Sequence, residues 1–195
     1  MTDYFKLLAQ PRLPWLDPDE LKNKFMELTA QAHPDKFPHD TPEEHSLRTE
    51  KYALLNTAYQ NLSSNRSRIL HLIELISGKQ VTDIQRIPPG YGELFMEMAQ
   101  TLASADAFLQ TAPQEDSPIL KAKRFAESLT QIDKLTALQK KLFSLRSQIE
   151  EELKAMNSIP EKEIPLERLE ELYRSLSYIS RWDEQLREKL LLFTV

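Results

Sequence analysis

The 195-residue chain has no cysteine and only three glycines. Without cysteine it cannot form a disulfide, and it offers no thiolate as a nucleophile or as a metal ligand. Three glycines are too few for the phosphate-binding loops of P-loop or Rossmann-type enzymes, and no G-x-S-x-G nucleophile elbow is present. We therefore expect a protein that is not an enzyme and that holds no cofactor.

Long apolar runs and an excess of positive charge are also missing. No stretch approaches about 18 consecutive apolar residues, and Met1-Thr2-Asp3-Tyr4 has neither the basic nor the apolar segment of a signal peptide. The 25 basic and 30 acidic residues give a formal net charge of -5. Binding to nucleic-acid phosphates requires a basic face. We expect a soluble cytoplasmic protein that binds neither nucleic acid nor membrane.

Helical periodicity is the main positive signal in the first part of the chain. Asp17-Pro18-Asp19-Glu20 predicts a helix start, with Asp17 as the N-cap and proline at the first helical position. The apolar stripe of this helix consists of Leu21, Phe25, Leu28 and Ala32. Thr41-Pro42-Glu43-Glu44 repeats the start signal, and the stripe that follows consists of Leu47, Leu54, Leu55, Ala58 and Leu62. Two antiparallel helices are predicted.

Three further helical patterns follow a stretch that contains two of the three glycines, Pro88-Pro89-Gly90-Tyr91-Gly92. The middle pattern is an unbroken stripe at spacings of three and four that should form one straight seam: Phe125, Leu129, Ile132, Leu135, Leu138, Leu142, Leu145, Ile149, Leu153 and Met156. Short connections between long helices predict an antiparallel bundle of three. The fold class is therefore all-α, with a helical hairpin domain at 1–78, a linker at 79–92 and a three-helix bundle at 93–195. We expect a monomer, although the long seam could instead form a dimer.

The loop between the two helices of the hairpin displays His33-Pro34-Asp35. Pro34 and Pro38 each keep the residue before them out of the α region, so the incoming helix must end here. One alternative is an ordinary helix-terminating turn. Another is a metal site, since five side chains of suitable type lie close in sequence: His33, Asp35, His39, Asp40 and His45. The three prolines in this loop make convergence on one ion difficult, so we expect no metal.

His-Pro-Asp between two helices resembles the signature of the J-domain, through which co-chaperones stimulate the ATPase of DnaK-type and HscA-type chaperones. The flanking sequences, Asp3-Tyr4-Phe5-x-Leu7-Leu8 and Leu55-Asn56-x-Ala58-Tyr59-x-x-Leu62, strengthen the match. With its C-terminal helices, the whole chain looks like an HscB-type co-chaperone of iron-sulfur cluster assembly. The resemblance implies a chaperone-binding surface made of His33, Pro34, Asp35, Lys36, Lys22 and Lys24.

The first hairpin helix departs from the J-domain pattern, which usually has several basic residues on its exposed face. Here Lys22 and Lys24 are offset by Asp19, Glu20 and Glu27. Because fewer positive charges steer the encounter, we expect association with the chaperone to be slower and less sensitive to salt.

The helix that starts at Glu93 provides a second candidate surface. Leu94-Phe95-Met96-Glu97 is similar to the start of the helix by which HscB-type proteins bind the iron-sulfur scaffold protein. The resemblance therefore implies a client-binding face made of Phe95, Met96, Ala99 and Ala103. Acidic positions of the family's face fall here on Gln100, Ala103 and Ala107, and an aromatic position falls on Ser175.

Three alternatives remain open at this point. Phe95 and Met96 could instead pack onto the N-terminal domain. The chain could be a J-domain protein with a different client. It could also be a helical adaptor with no role in chaperoning.

Overall fold

The computed structural model describes residues 1–37, 39–80, 87–111 and 117–193. These residues form short 3-10 turns at Pro34–Lys36 and Glu161–Glu163 and seven α-helices: α1 Tyr4–Leu7, α2 Pro18–Ala32, α3 Pro42–Ser63, α4 Asn65–Ser77, α5 Gly92–Gln110, α6 Pro118–Met156 and α7 Leu166–Leu192. They contain no strand, and the predicted all-α class is confirmed. None of the described helices is long and apolar enough to cross a membrane.

Helices α2 and α3 begin at the residues that the sequence predicts. The Asp17 carboxylate accepts hydrogen bonds from the backbone N–H groups of Asp19 and Glu20, at 2.9 and 3.0 Å. Thr41 and Glu44 form a complete capping box, in which the Thr41 N–H donates to the Glu44 carboxylate at 2.9 Å and the Glu44 N–H donates to the Thr41 hydroxyl at 3.3 Å. The hydrogen bonds from Thr41 lower the pKa of Glu44. Local side-chain capping thus fixes both helix starts.

The hairpin core lies between α2 and α3. Leu21 and Ala32 of α2 are buried, and Phe25 stacks on Tyr59 of α3 with ring centroids 4.2 Å apart. The buried residues of α3 are Leu55, Ala58 and Leu62.

Two residues assigned to the α3 stripe do not reach the core. Leu47 is 66% exposed and Leu54 is 37% exposed. Leu54 immediately precedes the buried Leu55, and adjacent residues of a helix are about 100° apart around its axis. The predicted inclusion of Leu47 and Leu54 in the buried stripe is therefore wrong.

The described residues belong to two compact units. The first comprises Met1–Asp83 and Glu150–Tyr173, and the second comprises Ile84–Ile149 and Arg174–Val195. The domain boundaries proposed from sequence stay a prediction, and residues 81–86 of the proposed linker lie outside the described residues, as does Pro38.

Asn157 attaches the 150–173 segment to the rest of the first unit. Its side-chain oxygen accepts from the backbone N–H of Trp15 at 3.1 Å, and its side-chain nitrogen donates to the Trp15 carbonyl at 2.9 Å. The Trp15 indole N–H also donates to Glu150 at 3.3 Å. These contacts join residues well over a hundred positions apart in sequence.

The predicted straight seam of α6 is wrong at its N-terminal end. Its buried apolar residues are Leu135, Leu138, Leu142, Ile149, Leu153 and Met156, whereas Phe125 is 65% exposed and Leu129 is 45% exposed. From Leu129 to Leu138 the stripe advances in repeated steps of three residues. Each such step falls about 60° short of a full turn, so the stripe rotates around the helix. Phe125 and Leu129 therefore lie on a different side from the buried residues.

In the second unit, α5 contacts both other helices. The Gln131 amide of α6 donates to the Ser104 hydroxyl at 3.1 Å, and Lys141 pairs with Glu97 at 2.5 Å. On the α7 side, Asp106 pairs with Lys189. Phe108 stacks on Phe193 with ring centroids 5.6 Å apart. These three helices make up the predicted bundle.

In the first unit, α1 is attached to α4 through His71. The Tyr4 backbone N–H donates to His71 Nε2 at 3.1 Å, and the His71 ring stacks on the fully buried Phe5 at 5.8 Å. Burial lowers the pKa of His71, and this shift is opposed by the charge of Asp3 and increased by that of Arg12. The contact requires neutral imidazole, because a protonated ring nitrogen cannot accept a hydrogen bond.

We expect the first unit to lose stability as the pH falls below about 6.5, the ordinary pKa of histidine. Below that pH the unfolded chain takes up a proton that the folded chain refuses, since the folded pKa of His71 is lowered. The stabilisation that neutral His71 gives the folded unit is fully present above the pKa of histidine in the unfolded chain. It is lost as the pH falls through the lower pKa of His71 in the folded chain. Urea unfolding of wild type and His71→Gln across this range measures it. Glutamine keeps an acceptor but does not titrate, so an equally steep decline in the variant would contradict the assignment to His71.

Candidate functional site

The His33-Pro34-Asp35 segment forms a tight turn at the end of α2. His33 is extended, with φ -65° and ψ 123°, and its carbonyl accepts from the Lys36 N–H at 3.2 Å. The Asp35 N–H donates to His33 Nδ1 at 3.3 Å. The Asp35 side chain is 86% exposed, compared with 42% for His33, and its carboxylate lies 3.8 Å from His33 Nδ1. The turn therefore fixes the backbone while it presents a carboxylate to solvent.

Side chains of α3 support this turn from behind. The His33 ring meets the Tyr52 ring edge-on, with centroids 5.2 Å apart. The Arg48 guanidinium lies over the Phe37 ring, 3.5 Å from its centroid, and also pairs with Asp40. Tyr52 is not among the site residues predicted from sequence. The spacing of four between Arg48 and Tyr52, which puts both on one helix face, is the signal that could have found it.

The three lysines assigned to the chaperone-binding surface do not form one cluster. Lys36 lies in the turn itself and is exposed. Lys22 and Lys24 lie about 16 and 14 Å before His33 along the α2 axis, from the rise per helical residue. Lys24 also pairs with Glu27 at 2.9 Å, which offsets its charge. Lys36 is thus the predicted lysine that shares the turn with His33 and Asp35.

The alternative of a metal site requires a group of ligands. In the part of the chain that the structure describes, no three or more histidine, aspartate or glutamate side chains lie together. Asp40, one of the possible ligands, pairs with Arg48 instead.

The four residues assigned to the client-binding face lie together on the exposed side of α5. Phe95 is 39% exposed and Met96 is 56% exposed, and Ala99 and Ala103 are also exposed. Met98 and Ala105 of the same helix are buried. The face is exposed, and its role in binding stays a prediction.

Next to this face, α5 and α7 enclose a cavity of about 260 Å³, which we call the α5–α7 groove. It is lined by Phe95, Met98, Ala99, Leu102, Tyr178, Arg181, Trp182 and Gln185. Arg181 and Gln185 are not among the residues predicted from sequence to form a site. The four α7 residues follow the spacing of one helix face, which is the signal that could have grouped them.

The geometry defines an all-α protein whose helical hairpin presents His-Pro-Asp on a supported turn and whose second unit exposes an apolar helix face. No protein-family model matches the chain. It is 33% identical over 73 residues to the co-chaperone protein HscB homolog of Shewanella oneidensis. The aligned region covers 37% of this chain and 42% of the relative. The chain is 31% identical over 124 residues to the human iron-sulfur cluster co-chaperone protein HscB. This aligned region covers 63% of this chain and 52% of the relative. The match thus spans about half or less of these curated relatives.

Comparison of structures extends the similarity to nearly the whole chain. The fold matches chaperone HscB from Vibrio cholerae with a TM-score of 0.61 at 20% identity, covering 96% of both chains. It matches human co-chaperone protein HscB with a TM-score of 0.59 at 19% identity, covering 97% of this chain and 82% of that one. The resemblance to HscB-type co-chaperones is confirmed, in sequence over part of the chain and in fold over nearly all of it.

Proposed function

We propose that this chain is a co-chaperone of iron-sulfur cluster assembly that stimulates the ATPase of a DnaK- or HscA-type chaperone through His33, Pro34 and Asp35. The observation that carries the proposal is the 86% exposed carboxylate of Asp35 on a turn held by backbone hydrogen bonds and by Tyr52. A carboxylate presented in this way can form a charge-assisted hydrogen bond with a basic residue of the chaperone. The names of the curated relatives, a co-chaperone protein and an iron-sulfur cluster co-chaperone protein, support the proposed co-chaperone role.

The second half of the proposal concerns the client. The iron-sulfur scaffold protein would bind the exposed face of α5, through Phe95, Met96, Ala99 and Ala103. Exposed apolar surface often marks a binding site, and methionine adapts its shape to different partners. ATP hydrolysis takes place in the chaperone, and this chain holds the client close to it. The chain therefore supplies orientation and not catalysis.

Single-turnover ATP hydrolysis by the cognate chaperone tests both halves when it is measured with the full chain alone and with added scaffold protein. We expect stimulation by the chain and a further increase with scaffold. Stimulation that is the same with and without scaffold protein would favour a J-domain protein with another client. No stimulation in either case would favour a helical adaptor.

Matched phenylalanine variants identify the surface that binds the scaffold. Phe95→Ala should remove the scaffold-dependent increase and leave the basal stimulation unchanged. Phe143→Ala removes another exposed ring, 72% accessible on α6, and should change neither quantity. If the two variants behave alike, the α5 face is not the client site.

Tyr52 is expected to act as a positioning residue for the docking turn. Tyr52→Ala removes the ring against which His33 packs, and a contact of this kind contributes about 1 kcal/mol. We therefore expect stimulation to fall several-fold in the ATPase assay, whereas Tyr52→Phe, which keeps the ring, should retain it. A melting curve for each variant separates this effect from unfolding. Equal loss in the two variants would contradict a role through ring packing.

A further inference from the structure

We infer that the α5–α7 groove selects a client segment in which a carboxylate lies within a few residues of an apolar side chain, and that Arg181 binds this carboxylate. The inference rests on the proposed function, in which the face of α5 binds a client. It goes further because it specifies the chemistry of the client segment and the residue that binds its carboxylate.

The groove provides an apolar site of fixed shape. Its walls include Phe95, Ala99 and Leu102 of α5, and Met98 and Trp182 form buried parts of its lining, with 1% and 6% of their surface exposed. The Trp182 ring packs against Tyr178 at 5.5 Å between centroids. Because packed side chains line it, the groove exists before a client arrives, which lowers the conformational cost of binding.

Arg181 is the one charged residue in the lining of this groove. Its guanidinium lies over the Tyr178 ring, 4.7 Å from the centroid. A cation–π contact of this kind holds the guanidinium beside the ring, and the side chain still has N–H donors that can bind a planar carboxylate. Arg181 is therefore positioned by the protein while its hydrogen-bonding edge remains open to a ligand.

Nearby acidic groups do not neutralise Arg181. Among the described residues no carboxylate lies within ion-pair distance of it, although Glu184 and Glu188 follow on the same helix. Two further acidic groups of α5 and α7 are paired with other cations, Asp183 with Arg187 at 3.0 Å and Asp106 with Lys189. Arg181 thus contributes a cation for which the described residues supply no partner.

On the adjoining exposed surface of α5, Met96, Ala99, Gln100, Ala103 and Ala107 are uncharged, whereas Glu93 lies one turn before Met96 and Asp106 is paired with Lys189. Within the lining of the groove, charge discrimination therefore depends on Arg181. A segment with a lysine at the corresponding position would meet like charge, which disfavours the wrong partner. The client should accordingly present an apolar side chain to the groove and an aspartate or glutamate to Arg181.

Peptide binding to the full chain tests this directly. A Trp15→Phe background leaves Trp182 as the single tryptophan, so its emission reports occupancy of the groove. Two synthetic peptides of equal length, with leucine flanked by aspartate in one and by lysine in the other, serve as probes. We expect the acidic peptide to shift Trp182 emission and to bind about tenfold more tightly, which is the scale of one charge-assisted contact.

Two arginine variants provide the matched comparison. Arg181→Glu should reverse the preference between the peptides, whereas Arg187→Glu, at a 67% exposed position six residues along the same helix, should leave it in place. Equal affinity for the two peptides, or an acidic preference that survives Arg181→Glu, would overturn the inference.

Binding of the purified scaffold protein, measured by calorimetry, separates this inference from the proposed function. If the scaffold binds and Phe95→Ala weakens it while Arg181→Glu does not, the client face stands and the role of Arg181 is wrong. If the scaffold fails to bind but the peptides retain their Arg181-dependent preference, the inference stands for another client and the scaffold assignment fails.

Discussion

Asp35→Asn is expected to abolish stimulation of the chaperone ATPase while the melting temperature of the chain stays unchanged. The side chain is 86% exposed, and the hydrogen bond of residue 35 to His33 comes from the backbone, so the substitution leaves the turn intact. An amide matches the carboxylate in shape but has no charge to pair with a basic group of the chaperone. Loss of one partner in such a pair costs about 2 to 5 kcal/mol. Single-turnover hydrolysis across a range of co-chaperone concentrations measures the loss.

Glu50→Gln is the matched control for this substitution. Glu50 is an exposed carboxylate on α3 of the same hairpin, so its replacement makes the same change in net charge away from the turn. Its stimulation should equal that of wild type. If Asp35→Asn and Glu50→Gln lower stimulation equally, the effect is one of overall charge, and the proposed docking role of the turn is wrong.

The parts of the fold that the sequence predicts well are those encoded locally. Asp17 and Thr41 cap their helices through hydrogen bonds to residues two or three positions away, so the starts of α2 and α3 can be read from four-residue patterns. The end of α2 at Ala32 follows from Pro34, which constrains the residue before it.

Contacts between distant segments could not be predicted in the same way. Periodicity indicates which face of a helix is apolar, but it does not identify the neighbour of that face. The bonds of Asn157 to Trp15 and the packing of Tyr52 on His33 join segments that no local pattern connects. The spacing rule also failed within α6, because repeated steps of three carried Phe125 away from the buried side. The α5–α7 groove was not predicted because its lining comes from two helices far apart in sequence, and periodicity does not identify which helices are neighbours.

Arg68→Ala is expected to cause the largest loss of stability in the first unit. Arg68 is only 2% exposed, and its guanidinium donates to the carbonyls of Pro14 and Leu62, at 3.0 and 2.6 Å, and to the Asn65 side chain. It thereby ties the segment before α2 to the end of α3 and the start of α4. Burial lowers the pKa of Arg68 to about 10, and the charge of Glu150 opposes this shift, so the side chain is still cationic at neutral pH.

Truncation at Arg68 would leave a cavity and three acceptors without their donor, and we expect it to lower the free energy of unfolding by about 3 to 5 kcal/mol. Arg66→Ala, at an exposed position on the same helix, should cost less than about 1 kcal/mol. Urea unfolding followed by Trp15 fluorescence in a Trp182→Phe background reports on this unit. Arg68→Met separates the two contributions, because methionine fills much of the cavity but donates no hydrogen bond. If Arg68→Met is as stable as wild type, packing accounts for the role of this residue and its hydrogen bonds contribute nothing net; a loss close to that of Arg68→Ala assigns the stability to the donors.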